Sequence, residues 1–163
     1  MGLVVIVMGV SGSGKTAFAT ALAERLGATL VEGDRFHRPA NIDKMHRGEP
    51  LADSDREPWL DAVAASILCA GETVVATCSA LKQAYRDRLH DRLGAYQLVY
   101  LCVSEATATQ RVATRPGHFF PPGLVADQFA ALEEPTDAIT LDAELPVDEL
   151  VATALVSIVA SSR

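Results

Sequence analysis

Long apolar runs are missing from this chain of 163 residues. The longest aliphatic stretch near its start, Leu3 to Met8, is six residues, and a membrane span needs about 20, so no membrane partner is expected. Positions 1–2 carry no Lys or Arg and the first apolar run leads straight into a Gly/Ser loop, so no secretory leader is expected either. Cysteine is scarce. Cys69, Cys78 and Cys102 are odd in number, form no Cys-x-x-Cys and each sit in an apolar stretch. They read as reduced core thiols of a cytoplasmic protein, not as a disulfide framework or a metal site. Positive charge is short too: 14 Lys and Arg against 21 Asp and Glu leave a net charge of −7. A protein that grips nucleic acid over a broad surface needs the opposite balance. An anionic ligand must therefore meet a local cluster of cations.

What is present suits one globular domain over residues 1–163, with 49% hydrophobic and 21% charged residues. Short apolar runs alternate with longer amphipathic ones. Strands are expected at 3–8, 29–31, 73–78, 97–102 and 138–141. Between them, Phe18, Ala21, Leu22 and Leu26 recur at helical spacing before Gly27, and Trp59, Leu60, Val63, Ala64, Ile67 and Leu68 before Gly71. Further helices are expected at 82–93, at 105–114 and after Pro146, with Leu150, Val151, Ala154, Leu155 and Ile158 facing inward. Strands alternating with helices predict an α/β fold, a mostly parallel sheet covered on both faces. Ligands of such sheets lie beyond the carboxyl ends of the strands.

Gly9-Val10-Ser11-Gly12-Ser13-Gly14-Lys15-Thr16 fits G-x-x-x-x-G-K-[ST] in full, between a buried strand and a helix. The glycines let backbone N–H groups turn inward around a phosphate chain, and the helix N-terminus adds partial positive charge. Lys15 is the residue that reaches the β- and γ-phosphates, and the Thr16 hydroxyl is a Mg²⁺ ligand. The motif implies ATP or GTP with Mg²⁺ and leaves the fate of the phosphate open.

An acid usually follows a neighbouring strand to help hold Mg²⁺ through water. Here 73–78 ends in Ser79 with no acid. The acid singled out instead is Asp34, where Gly33 is expected to give a sharp exit from strand two. A carboxylate there accepts a proton from a substrate hydroxyl or helps hold Mg²⁺, and both roles stay open. The small size points to a small-molecule kinase rather than a GTPase or motor.

The remaining motifs extend this. At Gly33-Asp34-x-x-His37, Asn41-x-x-Lys44-Met45 and Gly48-x-Pro50-Leu51-x-Asp53-x-Asp55-Arg56-x-Pro58-Trp59-Leu60 the chain resembles the gluconate kinases. The likeness continues at Cys78-Ser79-Ala80-Leu81-Lys82-x-x-Tyr85-Arg86-Asp87-x-Leu89, at Arg115-x-Gly117-His118-Phe119-Phe120 and at Gln128-Phe129-x-x-Leu132-Glu133-x-Pro135. It covers nearly the whole chain in register. The resemblance implies transfer of the ATP γ-phosphate to the 6-hydroxyl of D-gluconate. It also implies a P-loop kinase fold of three layers with a parallel five-stranded sheet, a mobile lid at about 115–123, and a homodimer.

Gluconate is a polyol with one carboxylate, so its pocket needs cations and hydrogen-bonding groups. His37, Lys44 and Arg56 follow strand two, and Lys82 and Arg86 follow strand three; the resemblance adds His118. Lysines number three against eleven arginines, and all three, Lys15, Lys44 and Lys82, fall inside these motifs. The plain alternatives are solvated helix charges and a loop histidine. Asp53 and Asp55 are expected to cap the following helix. Arg111 and Arg115, four apart, share a helix face, where they are expected to fold over the transferring phosphate. Pro116, Gly117, Pro121, Pro122 and Gly123 then form the expected lid loop. A shikimate kinase would show a Gly-rich turn after strand three, where this chain has Ser79-Ala80-Leu81-Lys82. A nucleotide kinase usually needs a larger base pocket. A non-catalytic nucleotide-binding protein is the third reading.

Overall fold

β1 (Leu3–Met8) is apolar throughout and takes the centre of the sheet, where a strand is covered on both faces. The structure is a computed structural model that describes residues 2–116 and 121–162. Around β1 lie β2 (Thr29–Glu32), β3 (Thr73–Thr77), β4 (Gln97–Cys102) and β5 (Ile139–Asp142), in the order β2-β3-β1-β4-β5, all parallel. In register, Val7 lies opposite both Thr77 and Val99. The strand order reverses at β1, so a crevice opens beyond its carboxyl end. The five expected parallel strands are present.

Alternation along β1 divides the core. Val5 and Val7 face α1 (Lys15–Leu26), α5 (Glu105–Thr114) and α7 (Val147–Ser161), through Phe18, Leu22, Val112, Leu150 and Ile158. Ile6 and Met8 face α3 (Asp53–Cys69) and α4 (Gln83–Leu93), through Trp59, Leu60, Ile67 and Leu89. Burying one such large apolar side chain stabilises the fold by about 1.5–3 kcal/mol. Gly27 ends α1 in the left-handed conformation at φ 62°, as its place after the apolar stripe predicts. Asp53 and Asp55 open α3, and the Asp55 carboxylate accepts from the Ala52 N–H at 2.9 Å. No helix among the described residues is long and apolar enough to cross a membrane.

Two helices had no clear signal in the sequence. α2 (Pro39–His46) buries only Asn41, so no apolar stripe marks it. α6 (Gly123–Ala131) follows directly on Pro121-Pro122, which reads as loop; yet proline suits a helix start, and Leu124 and Val125 are buried. The expected lid loop therefore already enters a helix at residue 123. Gly117, His118, Phe119 and Phe120 lie outside the described residues.

Candidate active site

The glycine loop fills the turn between β1 and α1, at the crevice. Gly12 has φ +85°, and a Cβ there would stand 2.4 Å from the Ala108 carbonyl oxygen, so only glycine fits. Ser13 N–H closes the turn onto Val10 O at 3.1 Å. The Lys15 ammonium is folded against its own loop, donating to Gly9 O at 2.9 Å and Val10 O at 3.1 Å. Removal from water lowers its pKa below the ordinary lysine value, against the opposing pull of the Asp34 carboxylate.

The exit from β2 is built by three contacts. Gly33 N–H donates to Thr77 Oγ1 at 3.1 Å, and Gly33 O accepts from the buried Trp59 Nε1 at 2.8 Å. A Cβ on Gly33 would stand 2.1 Å from the Thr77 carbonyl oxygen. Glycine is thus required for close approach of two segments, β2's exit and the end of β3, rather than for the sharp exit the sequence suggests. A 3₁₀ turn (Gly33–Phe36) then delivers Asp34, exposed, beside the glycine loop. A cavity of about 360 Å³ is lined by Lys15, Thr16, Asp34, Thr77, Arg111 and Arg115, among others. Arg111 is anchored from α5: it donates to Gly12 O at 3.3 Å and to Ala143 O at 3.0 Å.

Glu32, the last residue of β2, joins the site although no acid at the end of β3 points to it. Its Oε2 accepts from Thr77 Oγ1 at 2.8 Å and from the Thr16 hydroxyl at 3.3 Å. Hydroxyl and carboxylate oxygens of Thr16, Glu32 and Asp34 are the hard donors that Mg²⁺ selects, with phosphates and water completing the shell. The donor set fits that ion. The signal was available: an acid at a strand end, two residues before Asp34.

A second, smaller cavity of about 80 Å³ lies between α3, α4 and α6, lined by Met45, Arg56, Lys82, Tyr85, Leu124 and Gln128, among others. The Arg56 guanidinium stands 5.5 Å from the Tyr85 ring centre, and among the described residues no carboxylate pairs with it. Lys82 Nζ lies 3.1 Å from Asp53 Oδ1, and the Tyr85 hydroxyl donates to the same carboxylate. A larger cavity of about 750 Å³ opens at the amino ends of the strands, among Arg86, Asp87, His90 and Tyr96, and holds none of the glycine loop.

A family profile described as an AAA domain matches residues 4–135. The gluconokinase of Gluconobacter oxydans (strain 621H) is 45% identical over 141 residues, covering 81% of this chain and 76% of that one. The thermoresistant gluconokinase of Escherichia coli (strain K12) is 38% identical, covering 92% and 90%. The chain belongs to the gluconokinase family. The crystal structure of a gluconokinase from Sinorhizobium meliloti 1021 superposes with a TM-score of 0.87 at 41% identity, covering 97% of this chain and 92% of that one.

Within this gluconokinase fold the residues expected at the site do not all reach the same place. Lys15, Thr16, Asp34, Arg111 and Arg115 converge on the larger of the two cavities beside the glycine loop, and Arg56 and Lys82 on the smaller. Lys44 and His37 line neither. Lys44 is held by Asp55 at 2.8 Å, which ties α2 to the start of α3. His37 stacks on Trp59, ring centres 4.3 Å apart, and burial lowers its pKa to about 4 despite the Asp34 charge, so it is neutral near pH 7. Arg86 also lines neither of these two cavities. It is buried, and its Nη atoms donate to Ala80 O, Leu81 O, Gln83 Oε1 and Glu133 O. Its Nη donors are taken by oxygens of the chain, while the buried Nε has no partner among the described residues, so the guanidinium braces the segment after β3 against Glu133. His118 lies outside the described residues.

Proposed function

We propose that this protein transfers the γ-phosphoryl group of ATP to the 6-hydroxyl of D-gluconate, giving 6-phospho-D-gluconate and ADP. The observation that carries this is the pairing of two adjacent cavities. One has the cations and the acid of phosphoryl transfer around the glycine loop; the other has Arg56, a guanidinium with no carboxylate partner among the described residues. Loop amides and Lys15 hold the phosphates. Arg56 and Lys82 take the sugar-acid carboxylate and orient the chain of hydroxyls, with Lys44 and His37 supporting that side of the pocket. Asp34 accepts a hydrogen bond from the attacking hydroxyl and receives its proton as the new O–P bond forms and the bond to the ADP oxygen breaks. The transition state is loose, so alignment of the hydroxyl matters more than base strength. Arg111 and Arg115 balance the charge that spreads over the transferring group. Thr16, with Glu32 and Asp34 behind it, would hold Mg²⁺, which neutralises phosphate charge when bound. A lid over 115–123, with His118 reaching the substrate, a cytoplasmic location and a homodimer complete the reading. They rest on the family resemblance and, for location, on three cysteines that are all unpaired.

The test is a phosphoryl-transfer assay over a panel of sugar acids, shikimate and nucleoside monophosphates, with product identification. Gluconate is expected to be phosphorylated at its terminal hydroxyl. Preferential turnover of shikimate or a nucleoside monophosphate would overturn the reading.

A further inference from the structure

The segment Gln128-Phe129-x-x-Leu132-Glu133-x-Pro135 carries part of the family likeness but has no part in the chemistry above. In the structure it connects the two cavities. The Ser11 N–H donates to Gln128 Oε1 at 2.7 Å, and Gln128 Nε2 donates to Ser11 Oγ at 3.2 Å. One carboxamide thus closes a two-point clasp on a glycine-loop residue 117 positions away. A carboxamide is suited to this, because it accepts and donates side by side. The same side chain lines the smaller cavity, to which α6 also contributes Leu124, Asp127 and Ala131. Just beyond α6, Glu133 N–H donates to Leu81 O at 2.8 Å, and Glu133 Oε1 accepts from Gln83 N–H at 2.9 Å. Arg86 Nη2 adds a bond to Glu133 O at 2.9 Å. The α6 segment is therefore tied on one side to the loop that takes the phosphates and on the other to the loop that carries Lys82.

We infer that Gln128 is a positioning residue for phosphoryl transfer: its clasp on Ser11 keeps α6, and with it the wall of the acceptor pocket, in register with the glycine loop. The reacting hydroxyl and the γ-phosphate belong to different ligands held by different elements. Their alignment depends on whatever fixes those elements to each other, and a misplacement of about 1 Å costs up to about 100-fold in rate. Gln128 joins them by a direct bond. Without the clasp, each ligand still finds its own contacts, but the two are no longer held at a fixed separation.

This inference rests on the gluconate reading, so the kinetics are run on whichever acceptor the wild-type protein phosphorylates. A failed gluconate assay then sinks that reading alone. Gln128→Met keeps the length and packing of the side chain and removes the clasp. The expected result is a kcat lowered by about 10- to 100-fold, with the affinity for a non-hydrolysable ATP analogue, the slow hydrolysis of ATP without acceptor, and Tm all unchanged. Ser11→Ala removes the Oγ half of the clasp and should lower kcat by less. The double variant should lose no more than Gln128→Met alone, because both changes act on one contact. Wild-type kcat in Gln128→Met, losses that multiply in the double variant, or an equal fall in ATP affinity would each overturn the inference. Should Gln128→Met not fold, Gln128→Asn, whose carboxamide is one methylene too short to reach Ser11, decides in its place: a lowered kcat with ATP-analogue affinity kept supports the clasp, and an unchanged kcat overturns it.

Discussion

Replacing Gly33 by alanine tests whether the exit from β2 sets the rate. The added Cβ would stand 2.1 Å from the Thr77 carbonyl oxygen, where real contacts do not fall below 3.0 Å. The two segments must therefore part by about 0.9 Å, the difference between those distances. Neither side can yield cheaply. Thr77 is buried in β3 beside the central strand, and Gly33 is held by Thr77 Oγ1 and by the Trp59 indole. Overpacking of this kind costs about 2 kcal/mol, which for a chain of this size lowers Tm by about 4–8 °C. The larger effect should fall on catalysis, since Asp34 is the next residue and moves with Gly33. A displacement near 1 Å of a reacting group lowers kcat by about 100-fold. ATP binding should stay nearly unchanged, because the glycine loop is built on β1 and α1. The control is Gly27→Ala, at φ +62° with nothing within 4 Å of its Cβ. It should cost about 1–2 kcal/mol through left-handed strain alone, with kcat unchanged. Thermal melts, ATP-analogue titration and steady-state kinetics on both variants form the assay. A Gly33→Ala enzyme with wild-type kcat, or one that loses no more activity than Gly27→Ala, would refute the reasoning.

Asp34→Asn should lower kcat strongly while Mg·ATP binding stays nearly unchanged, if the carboxylate orients and deprotonates the hydroxyl. A joint fall in Mg²⁺ dependence and nucleotide affinity would assign it to the metal instead, and an unchanged kcat would refute both roles. The folded state holds His37 at a pKa of about 4 against the ordinary 6.5, so the unfolded chain binds the proton more readily. Stability present above about pH 6.5 should therefore be lost as pH falls toward 4; His37→Phe, which keeps the stack on Trp59, should flatten that part of the Tm–pH curve. Arg86→Met leaves the buried Ala80 carbonyl without its donor, whereas Leu81 O keeps the Glu133 N–H at 2.8 Å and Glu133 is exposed. At about 1–3 kcal/mol for a buried group left unpaired, unfolding should shift by about that amount. Gluconate KM should stay close to wild type in the folded enzyme, and a selective rise in KM with no loss of stability would restore a substrate role.

The glycine loop was legible residue by residue because its chemistry is contiguous: eight neighbouring positions supply the amides, the ammonium and the hydroxyl. The strands were legible for a similar reason, since a parallel strand buried on both faces is a short unbroken apolar run. Asp34 could be singled out because it stands just beyond such a run. The motifs that mark the family are likewise local strings. What stayed hidden depends on contacts between distant segments. Glu32 becomes a site residue only through β2–β3 pairing, which sets its carboxylate against Thr77 and Thr16. Arg86 belongs to the same motif as Lys82, yet one turn along the helix its guanidinium faces inward to carbonyls from two segments while Lys82 stays at the pocket. α2 and α6 bury too few apolar residues to show a stripe, and tertiary contacts hold them in place. The bond between Ser11 and Gln128 spans 117 positions. No pattern read along the chain carries such a distance, because periodicity reports which face of an element is apolar and not which element it will meet.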